Sequence, residues 1–363
     1  MKLVFLSIFT ILFALNGAAQ TLFGGVEIGS KGVKVGVLSF QRSYSGKIWF
    51  HPEFDRTKNT DVISGTTSAI NETAFAVKNF SDSIKQQFKL SKENILIVIS
   101  SGAMQELRKK DKVGDLAIAI RTALGDMSQK IYFVTPEEEG FLTAAALIPR
   151  KELETAAVID IGSGNTKGGY FSTKDYKGFE AFTFPYGTKT ITKAVKATNP
   201  EGFTGYSTNL SQYFQKTIQP ELQEEVDRKP ALSNRNTVYL SGGIVWAIHT
   251  TMHPERINDE YSSLTAADVS LFKQKVNGDY NKLFDINTNV ITDKEIAAEA
   301  QKNITNVKNT FDRESLLAGS TLLEQVIKDI EQQTGRKNYQ FYKYSSWSWL
   351  SSFILIEYFD KIK

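Results

Sequence analysis

The sequence predicts an α/β protein with two similarly built lobes. A short motif occurs twice: residues 26–37 read VEIGSKGVKVGV, and residues 159–170 read IDIGSGNTKGGY. The two segments align without a gap, so that Glu27 faces Asp160, and they lie about one domain apart. Predicted strands and helices alternate along the chain, which is typical of layered α/β folds. Because an internal repeat sets the architecture, we expect each lobe to present one glycine-rich turn.

The composition is that of a globular protein without a nucleic-acid partner. The chain has 363 residues, of which 41% are hydrophobic and 12% aromatic, and this suffices for two domains of roughly 100–200 residues. The formal net charge is +3 and no long basic run occurs, which argues against electrostatic binding of nucleic acid. The sequence has no cysteine, so the core must hold the fold without a disulfide.

The N-terminus has the features of a secretory signal peptide over residues 1–19. A basic start at Lys2 is followed by an apolar run over residues 3–15 and by small residues before Gln20. We therefore expect cleavage near Ala19 and a periplasmic or secreted mature chain. An uncleaved anchor is the alternative, but the run is shorter than the ~20 residues of a membrane span. The mature chain is expected to have no transmembrane span.

The first half of the chain predicts four strands and three helices. Alternating apolar and small residues over 23–40 predict two strands joined by a turn at 30–32. The apolar run ILIVI at 95–99 predicts a strand buried on both faces. Apolar residues at helical spacing predict a helix over 66–89. The other predicted elements are a helix over 115–124, a strand over 130–134 and a helix over 137–147 that Pro136 opens.

The second half begins with a strand at 155–161, and residues 171–184 are expected to complete an antiparallel set. The later predicted elements are helices over 209–229, 244–251 and 314–331 and a strand over 237–240. Residues 255–312 are polar and mixed and predict no clear element. The aromatic segment at 342–358 is too short and too rich in serine to span a membrane. We expect it to pack on the protein body, with a helix at a membrane surface as the alternative.

Four short turns of glycine, serine and other small residues predict a phosphate site. They cover residues 28–32, 100–103, 161–165 and 241–244, and each follows a predicted strand. Small residues let backbone N–H groups approach an anion, and a following helix adds the positive end of its dipole. For any single turn, an ordinary tight turn is the simpler interpretation.

Several acidic and histidine residues are candidates for chemistry. Glu139 could act as general base beside a bound phosphate, although an acid near a helix start is the simpler interpretation by position alone. Glu27 and Asp160 would be the metal-binding carboxylates if the turns hold phosphate with Mg²⁺. His249 and His253 are spaced to bind zinc, but no third ligand is evident, so a metal role is disfavoured.

The order of these motifs resembles that of the exopolyphosphatase / guanosine pentaphosphate phosphohydrolase (Ppx/GppA) family, within the actin-like, Hsp70-like and sugar-kinase superfamily. Residues 26–35 resemble its first phosphate loop, and residues 158–167 resemble its second, V-I-D-I-G-G-G-S-T-E. TPEEEGFL at 135–142 is similar to S-G-x-E-E-A-R-L. Further matches are at 100–106, 184–192, 240–247 and 313–327, so that the resemblance covers about residues 23–330.

The resemblance implies two actin-like (ribonuclease H-like) lobes around an interdomain cleft, in which water attacks a phosphoanhydride with metal assistance. Glu139 matches the catalytic glutamate and Asp160 a metal-binding aspartate, so Mg²⁺ is the expected cofactor. The candidate phosphate-binding residues are Gly29, Ser30, Lys31, Gly162, Ser163, Gly164, Asn165, Thr166, Gly242 and Gly243. The expected domains are lobe I at 20–150, lobe II at 151–335 with a last helix that could cross back to lobe I, and an aromatic tail at 336–363.

Four positions depart from the family pattern. Glu27 stands where the family has Asp, and Lys31 where it has Asn. Lys167 replaces the acid that ends the second loop, and Phe141 replaces the Arg after the catalytic glutamates. The reversed charge at Lys167 could supply part of the role of a metal as a fixed cation, or could abolish catalysis.

Three functions are compatible with these residues. The first is an exported phosphohydrolase that acts on inorganic polyphosphate or a related phosphoanhydride. The second is a catalytically impaired protein that binds a polyanion or a partner protein, and a homodimer is a further candidate assembly. The third, an ATP-dependent kinase or a filament-forming relative of actin, is disfavoured because an exported chain has little access to ATP.

Overall fold

The computed structural model describes residues 21–42 and 48–359, which form two α/β lobes. The predicted signal peptide lies outside the described residues. Lobe I contains a five-stranded sheet and lobe II a six-stranded sheet. The predicted two-lobed α/β class is therefore confirmed.

The sheet of lobe I is built on the first copy of the repeat. Its strands are β1 (Thr21–Gly29), β2 (Gly32–Arg42), β3 (Ile48–Asn59), β4 (Ile95–Ile99) and β5 (Tyr132–Phe133). They lie in the order β3-β2-β1-β4-β5, and β1 pairs antiparallel with β2 and parallel with β4. The helices of this lobe are α1 (Thr67–Phe88), α2 (Ser101–Arg108) and α3 (Val113–Leu124), followed by α4 (Pro136–Leu147).

The β4 strand is buried along its whole length because both faces of the sheet are covered. Alternate residues of a strand point to opposite faces, so Ile97 packs in the core that α1 and α3 complete. Val98 packs on the other side, against Trp347 and Leu350 from the C-terminal segment. A continuous apolar sequence is what such a strand requires.

The sheet of lobe II is built on the second copy. Its strands are β6 (Ala156–Ile161), β7 (Thr166–Phe171), β8 (Phe179–Phe184), β9 (Thr237–Ser241), β10 (Tyr261–Leu264) and β11 (Asn338–Tyr342). Their order is β10-β11-β9-β6-β7-β8. The helices in this half of the chain are α5 (Thr188–Lys196), α6 (Gly202–Tyr213), α7 (Gln219–Asp227), α8 (Pro230–Ser233), α9 (Gly243–Met252), α10 (Ala266–Asn277), α11 (Lys294–Thr310), α12 (Arg313–Thr334) and α13 (Ser345–Phe359).

The two sheets share one plan. In lobe I the order β3-β2-β1-β4 joins an antiparallel three-stranded unit to a parallel strand, and in lobe II β8-β7-β6-β9 does the same. The turn at Ser30–Lys31 and the turn at 162–165 occupy equivalent places. The repeat in the sequence is therefore a repeat of structure.

Each sheet is covered by a helix that follows the other lobe in the chain. α4 follows lobe I and packs on β7, where a Cβ on Gly140 would lie 2.8 Å from the carbonyl oxygen of Gly168. α13 follows lobe II and packs on lobe I, where a Cβ on Gly36 would lie 2.4 Å from the ring of Trp347. α4 and α13 also pack on each other. These glycines are needed because any side chain would push the covering helix away.

The C-terminal region differs in detail from the expected tail. β11 is an interior strand of the second sheet, and α13 is the helix that returns to lobe I, whereas α12 packs within the core of lobe II. The buried hydroxyls of Ser348 and Ser351 donate to carbonyls one turn earlier, which lets a serine-rich helix bury most of its middle section. Residues 255–312, for which the sequence predicts no element, contain β10, α10 and α11.

Within the described ranges, none of the helices combines the length and the apolar character that crossing a bilayer requires.

Candidate functional site

The glycine-rich turns of the two lobes touch each other at the base of the cleft. A Cβ on Gly164 would lie 2.2 Å from Ser30 Oγ and 2.8 Å from the Cα of Gly102. Thus the β1–β2 turn, the start of α2 and the β6–β7 turn share one point of contact. The fourth turn adjoins them, because a Cβ on Gly242 would lie 3.0 Å from Asp160 Oδ1. The structure therefore brings all four predicted turns together.

A buried ion cluster lies beside these turns. Lys167 Nζ is 2.8 Å from Asp160 Oδ2 and 2.9 Å from Glu139 Oε1. The side chains of Lys167, Glu139 and Asp160 are only 6%, 3% and 10% exposed. Asp160 and Lys167 are cross-strand partners on β6 and β7, so the register of the hairpin sets their contact. We call these three residues the Lys167 cluster.

Glu139 reaches the cluster from α4 because of how that helix begins. Thr135 and Glu138 form a capping box, in which the Thr135 hydroxyl accepts from the N–H of Glu138 and the Glu138 carboxylate accepts from the N–H of Thr135. Glu139 then falls on the buried side of the helix, and its Oε2 accepts from the N–H of Ser101 at 3.0 Å. Its two oxygens thus bind the N-terminus of α2 and the lysine ammonium.

Lys167 stays charged in this surrounding. Burial by itself lowers the pKa of the ammonium, but Asp160 and Glu139 outweigh burial and raise the pKa above its ordinary value. The ammonium has three N–H donors, and the cluster uses two. A Cβ on Gly162 would lie 3.0 Å from Nζ, so the second turn approaches the ammonium directly.

The equivalent pair in lobe I has a different environment. Glu27 and Lys34 are cross-strand partners on β1 and β2, as Asp160 and Lys167 are on β6 and β7. Burial raises the pKa of Glu27 to about 7, and Lys34 opposes the shift. Lys34 Nζ donates to the carbonyl oxygen of Ser346 at 2.8 Å and lies 3.7 Å from the centre of the Trp347 ring. Burial lowers the pKa of Lys34 to about 8, against the effect of Glu27.

The carboxylates do not fit the expected Mg²⁺ in this arrangement. The ion requires close oxygen ligands in octahedral geometry, but the ammonium of Lys167 lies between Glu139 and Asp160. Glu27 has a pKa of about 7 and is only partly ionised near neutral pH. Across residues 21–42 and 48–359, no group of three or more Asp, Glu, His or Cys side chains could hold a metal ion.

The histidine pair is part of the core of lobe II. His249 is buried against the ring of Phe341 at 4.7 Å between centroids, and burial lowers its pKa to about 4. His253 Nε2 lies 3.2 Å from Asp268 Oδ2. The rings of the two histidines are 6.1 Å apart, and a structural role accounts for both.

A cavity of about 560 Å³ opens beside the turns, between the two lobes. Its lining includes Ser163 of the second turn, Lys31 of the first turn, and Lys189, Lys193 and Lys196 of α5. The α5 lysines recur at helical spacing and were not among the predicted site residues. Their helical spacing at positions 189, 193 and 196, which begins within the segment at 184–192, is the signal that could have identified them.

The cavity lysines hold the lobes together. Lys189 Nζ of lobe II donates to the carbonyl oxygen of Ser30 at 3.1 Å, and Lys193 Nζ lies 3.0 Å from Asp61 Oδ1 of lobe I. In the other direction, Lys31 of lobe I donates to the carbonyl oxygen of Thr310. Among the described residues Lys31 has no carboxylate partner within ion-pair distance, and burial lowers its pKa to about 8.

The predicted phosphate-binding residues divide into two groups. Ser30 Oγ and Asn165 Oδ1 are buried and have no hydrogen-bond partner in the part of the chain that the structure describes. The Ser30 hydroxyl can donate to a phosphate oxygen, whereas the amide oxygen of Asn165 only accepts hydrogen bonds. The amide nitrogen of Asn165 donates to Ser101 Oγ at 3.0 Å. In contrast, the hydroxyl of Thr166 donates to the carbonyl oxygen of Tyr186, and Gly243 begins α9 beside the ring of Phe311.

The sequence matches no family model and no curated protein sequence. Solved structures do match it. A Ppx/GppA family member from Aquifex aeolicus has a TM-score of 0.61 at 16% identity, over 94% of this chain and 99% of that one. An exopolyphosphatase from Cytophaga hutchinsonii has a TM-score of 0.62 at 11% identity, over 94% and 99% of the two chains. An exopolyphosphatase-like protein has a TM-score of 0.63 at 13% identity, over 94% and 100%.

These similarities define the class of the fold as two-lobed and actin-like. More particularly, the chain has the fold of the Ppx/GppA proteins over nearly its whole length, as the order of its motifs predicts.

Proposed function

We propose that this chain is a phosphohydrolase that releases phosphate from phosphoanhydrides, with inorganic polyphosphate as its substrate class. One observation carries the proposal: the turns of both lobes meet beside Glu139, and at the meeting point the buried Ser30 hydroxyl has no hydrogen-bond partner among the described residues. A terminal phosphate bound there would place its neighbours along the lysine-lined cavity. The names of the similar solved structures, among them an exopolyphosphatase, support the same class.

The proposed reaction needs one water molecule. The water oxygen attacks the terminal phosphorus while the bridging P–O bond breaks, so that phosphate and a shortened chain leave. Glu139 accepts a proton from the water, and the leaving oxygen carries the negative charge that develops. In this proposal the ammonium of Lys167 and the lysines of the cavity stabilise charge on the phosphate groups, which their positive charges support.

Export belongs to the same proposal. The signal-peptide pattern at 1–19 supports a periplasmic or secreted location. In that location polyphosphate is a more accessible substrate than ATP or guanosine nucleotides, which are mainly cytoplasmic.

The test is phosphate release from long-chain polyphosphate by the chain that begins at residue 20. Glu139→Gln removes the base and should reduce release by about 100-fold or more. Glu137→Gln is the matched control, because Glu137 is an exposed acid on the same helical turn and should leave release unchanged. Equal release by the native chain and the Glu139 variant would refute the assignment of Glu139.

A second candidate function is binding of polyphosphate without hydrolysis. The Lys167 cluster favours it, since both oxygens of Glu139 already have partners and a base held this way is less free to accept a proton. Tight binding of polyphosphate by the native chain, without phosphate release under any condition, would establish this function in place of the first.

A further inference from the structure

We propose that the ammonium of Lys167 takes the place of a divalent cation, so that this site binds its phosphate ligand without a resident metal ion. The proposal deepens the proposed function and rests on it for the reaction. The claim that no metal ion is resident rests on the geometry of the Lys167 cluster and does not depend on the reaction.

The position of the ammonium is the first argument. Lys167 Nζ is within 2.9 Å of carboxylate oxygens from two different elements, α4 and β6. This is where a cation shared by Glu139 and Asp160 would have to lie. A divalent ion that approached the same carboxylates would meet a fixed like charge, and the ammonium has already neutralised part of the negative charge that attracts metals.

The ammonium cannot easily move aside. Its side chain is 6% exposed, and the register of the β6–β7 hairpin places it opposite Asp160. Swinging it away would leave two buried carboxylates without a counter-charge, which is strongly unfavourable. The lysine is therefore a permanent member of the site.

The ammonium is also able to contact a phosphate. Two of its three N–H donors bind the cluster, and the main chain of Gly162 passes where a Cβ would be 3.0 Å from Nζ. Glycine at this position leaves the second turn open towards the lysine. The third donor can therefore bind a phosphoryl oxygen held by the turn, which is the contact that a bound metal would otherwise make.

The opposite lobe does not restore a metal site. Glu27 is the equivalent carboxylate in the repeat, and its cross-strand partner Lys34 acts on it electrostatically as a second cation. No pair of free carboxylates therefore remains on the two hairpins for a shared ion.

Binding of Mn²⁺, a probe of divalent-cation sites, tests the proposal without any measurement of activity. Titration calorimetry and thermal denaturation of the native chain from residue 20 should show no saturable binding at millimolar Mn²⁺. Lys167→Glu creates a third carboxylate at the same point and should bind Mn²⁺ saturably. Its affinity should be at least about tenfold above the detection limit set by the native chain, and its Tm should be higher when the ion is present. Lys167→Gln covers the case in which the acidic variant does not fold. It frees both carboxylates and should gain weaker binding.

Lys34→Gln is the matched control, since it removes the equivalent lysine of lobe I and should gain no Mn²⁺ binding. Saturable Mn²⁺ binding by the native chain, unchanged in the Lys167 variants, would overturn the proposal. If the native chain releases phosphate, release should also persist with an excess of chelator, and loss of release on chelation would overturn the proposal as well. If the native chain neither binds Mn²⁺ nor releases phosphate, the proposed hydrolase is refuted. The proposal that Lys167 takes the place of a divalent cation is then still supported.

Discussion

The first hairpin, β1–β2, and the second hairpin, β6–β7, carry the same pair of residue types in the same register and use them differently. In the second hairpin, the lysine and the acid form a buried ion pair that recruits Glu139 from α4. In the first, Lys34 turns to the main chain and the indole of α13, and the pKa of Glu27 rises because its carboxyl is buried without such a partner.

The difference comes from the covering helices. α4 presents a carboxylate to the second hairpin, whereas α13 presents Trp347 and a carbonyl oxygen to the first. The repeated motif thus fixes the positions of an acid and a lysine on each hairpin. The helix that packs on the hairpin determines which contacts these two side chains make.

The largest expected effect on stability is that of replacing Lys167, and replacing Lys34 provides the comparison. Lys167→Met should reduce the free energy of unfolding by about 3–5 kcal/mol, because it leaves Glu139 and Asp160 buried without their counter-charge. Lys34→Met should cost about 1 kcal/mol, since it removes one hydrogen bond and a cation–π contact but breaks no close ion pair. Urea denaturation at neutral pH measures both, and equal losses would mean that the two hairpins are energetically alike.

A glycine under the covering helix should have the next largest effect. Gly36→Ala places a methyl group about 2.4 Å from the Trp347 ring and should destabilise the protein by about 1–3 kcal/mol. Trp347→Leu in the same chain should recover part of that loss by making room. A double-mutant cycle of unfolding free energies tests this coupling. Additive losses would show that α13 does not press on the first hairpin at this point.

The two turns differ at the position of Lys31, which aligns with Gly164. Lys31→Gly makes the first turn resemble the second and should weaken polyphosphate binding by about tenfold, because it removes a cation from the cavity. The pKa of Lys31 is lowered to about 8, so the lysine loses its charge as the pH rises past that value. The difference between native and variant affinities should therefore shrink above pH 8.

Lys308→Ala, which removes an exposed lysine of α11, is the control for that experiment. Affinities from fluorescence anisotropy over a pH series provide the comparison. A pH-independent ratio between the native chain and the Lys31 variant would contradict a role for the lysine charge.

The smallest expected effect is at Glu27. Burial raises the pKa of Glu27 from 4.5 to about 7. Between these two pH values the folded state therefore binds a proton more tightly than the unfolded chain does. The free energy of unfolding therefore falls as the pH rises from 4.5 to about 7. Glu27→Gln should leave the Tm unchanged near pH 4.5 and stabilise the protein above pH 7, where the native carboxylate would be charged while buried. A gain of stability by the Glu27 variant only below pH 4.5 would contradict a raised pKa of Glu27.

Much of the fold could be predicted because it depends on local pattern. The apolar run of β4, the alternation in β1 and β2 and the proline at the first position of α4 each specify an element by its own residues. The repeat predicts two like lobes, and the structure confirms them. Within residues 255–312, α10 has little periodicity of its own and packs on α9 and α12. In contrast, α11 buries Ala300, Ile304 and Val307 at helical spacing, a signal that the sequence prediction missed.

The sequence by itself therefore determined the two hairpins, their glycine-rich turns and the presence of an acid and a lysine on each. Strand register follows from alternation, so cross-strand partners can be read from the chain. Only the tertiary structure decided that Lys167 lies between Glu139 and Asp160, that α13 returns to lobe I and that the α5 lysines line the cavity. Those contacts join residues far apart in sequence, and they depend on which helix packs on which sheet.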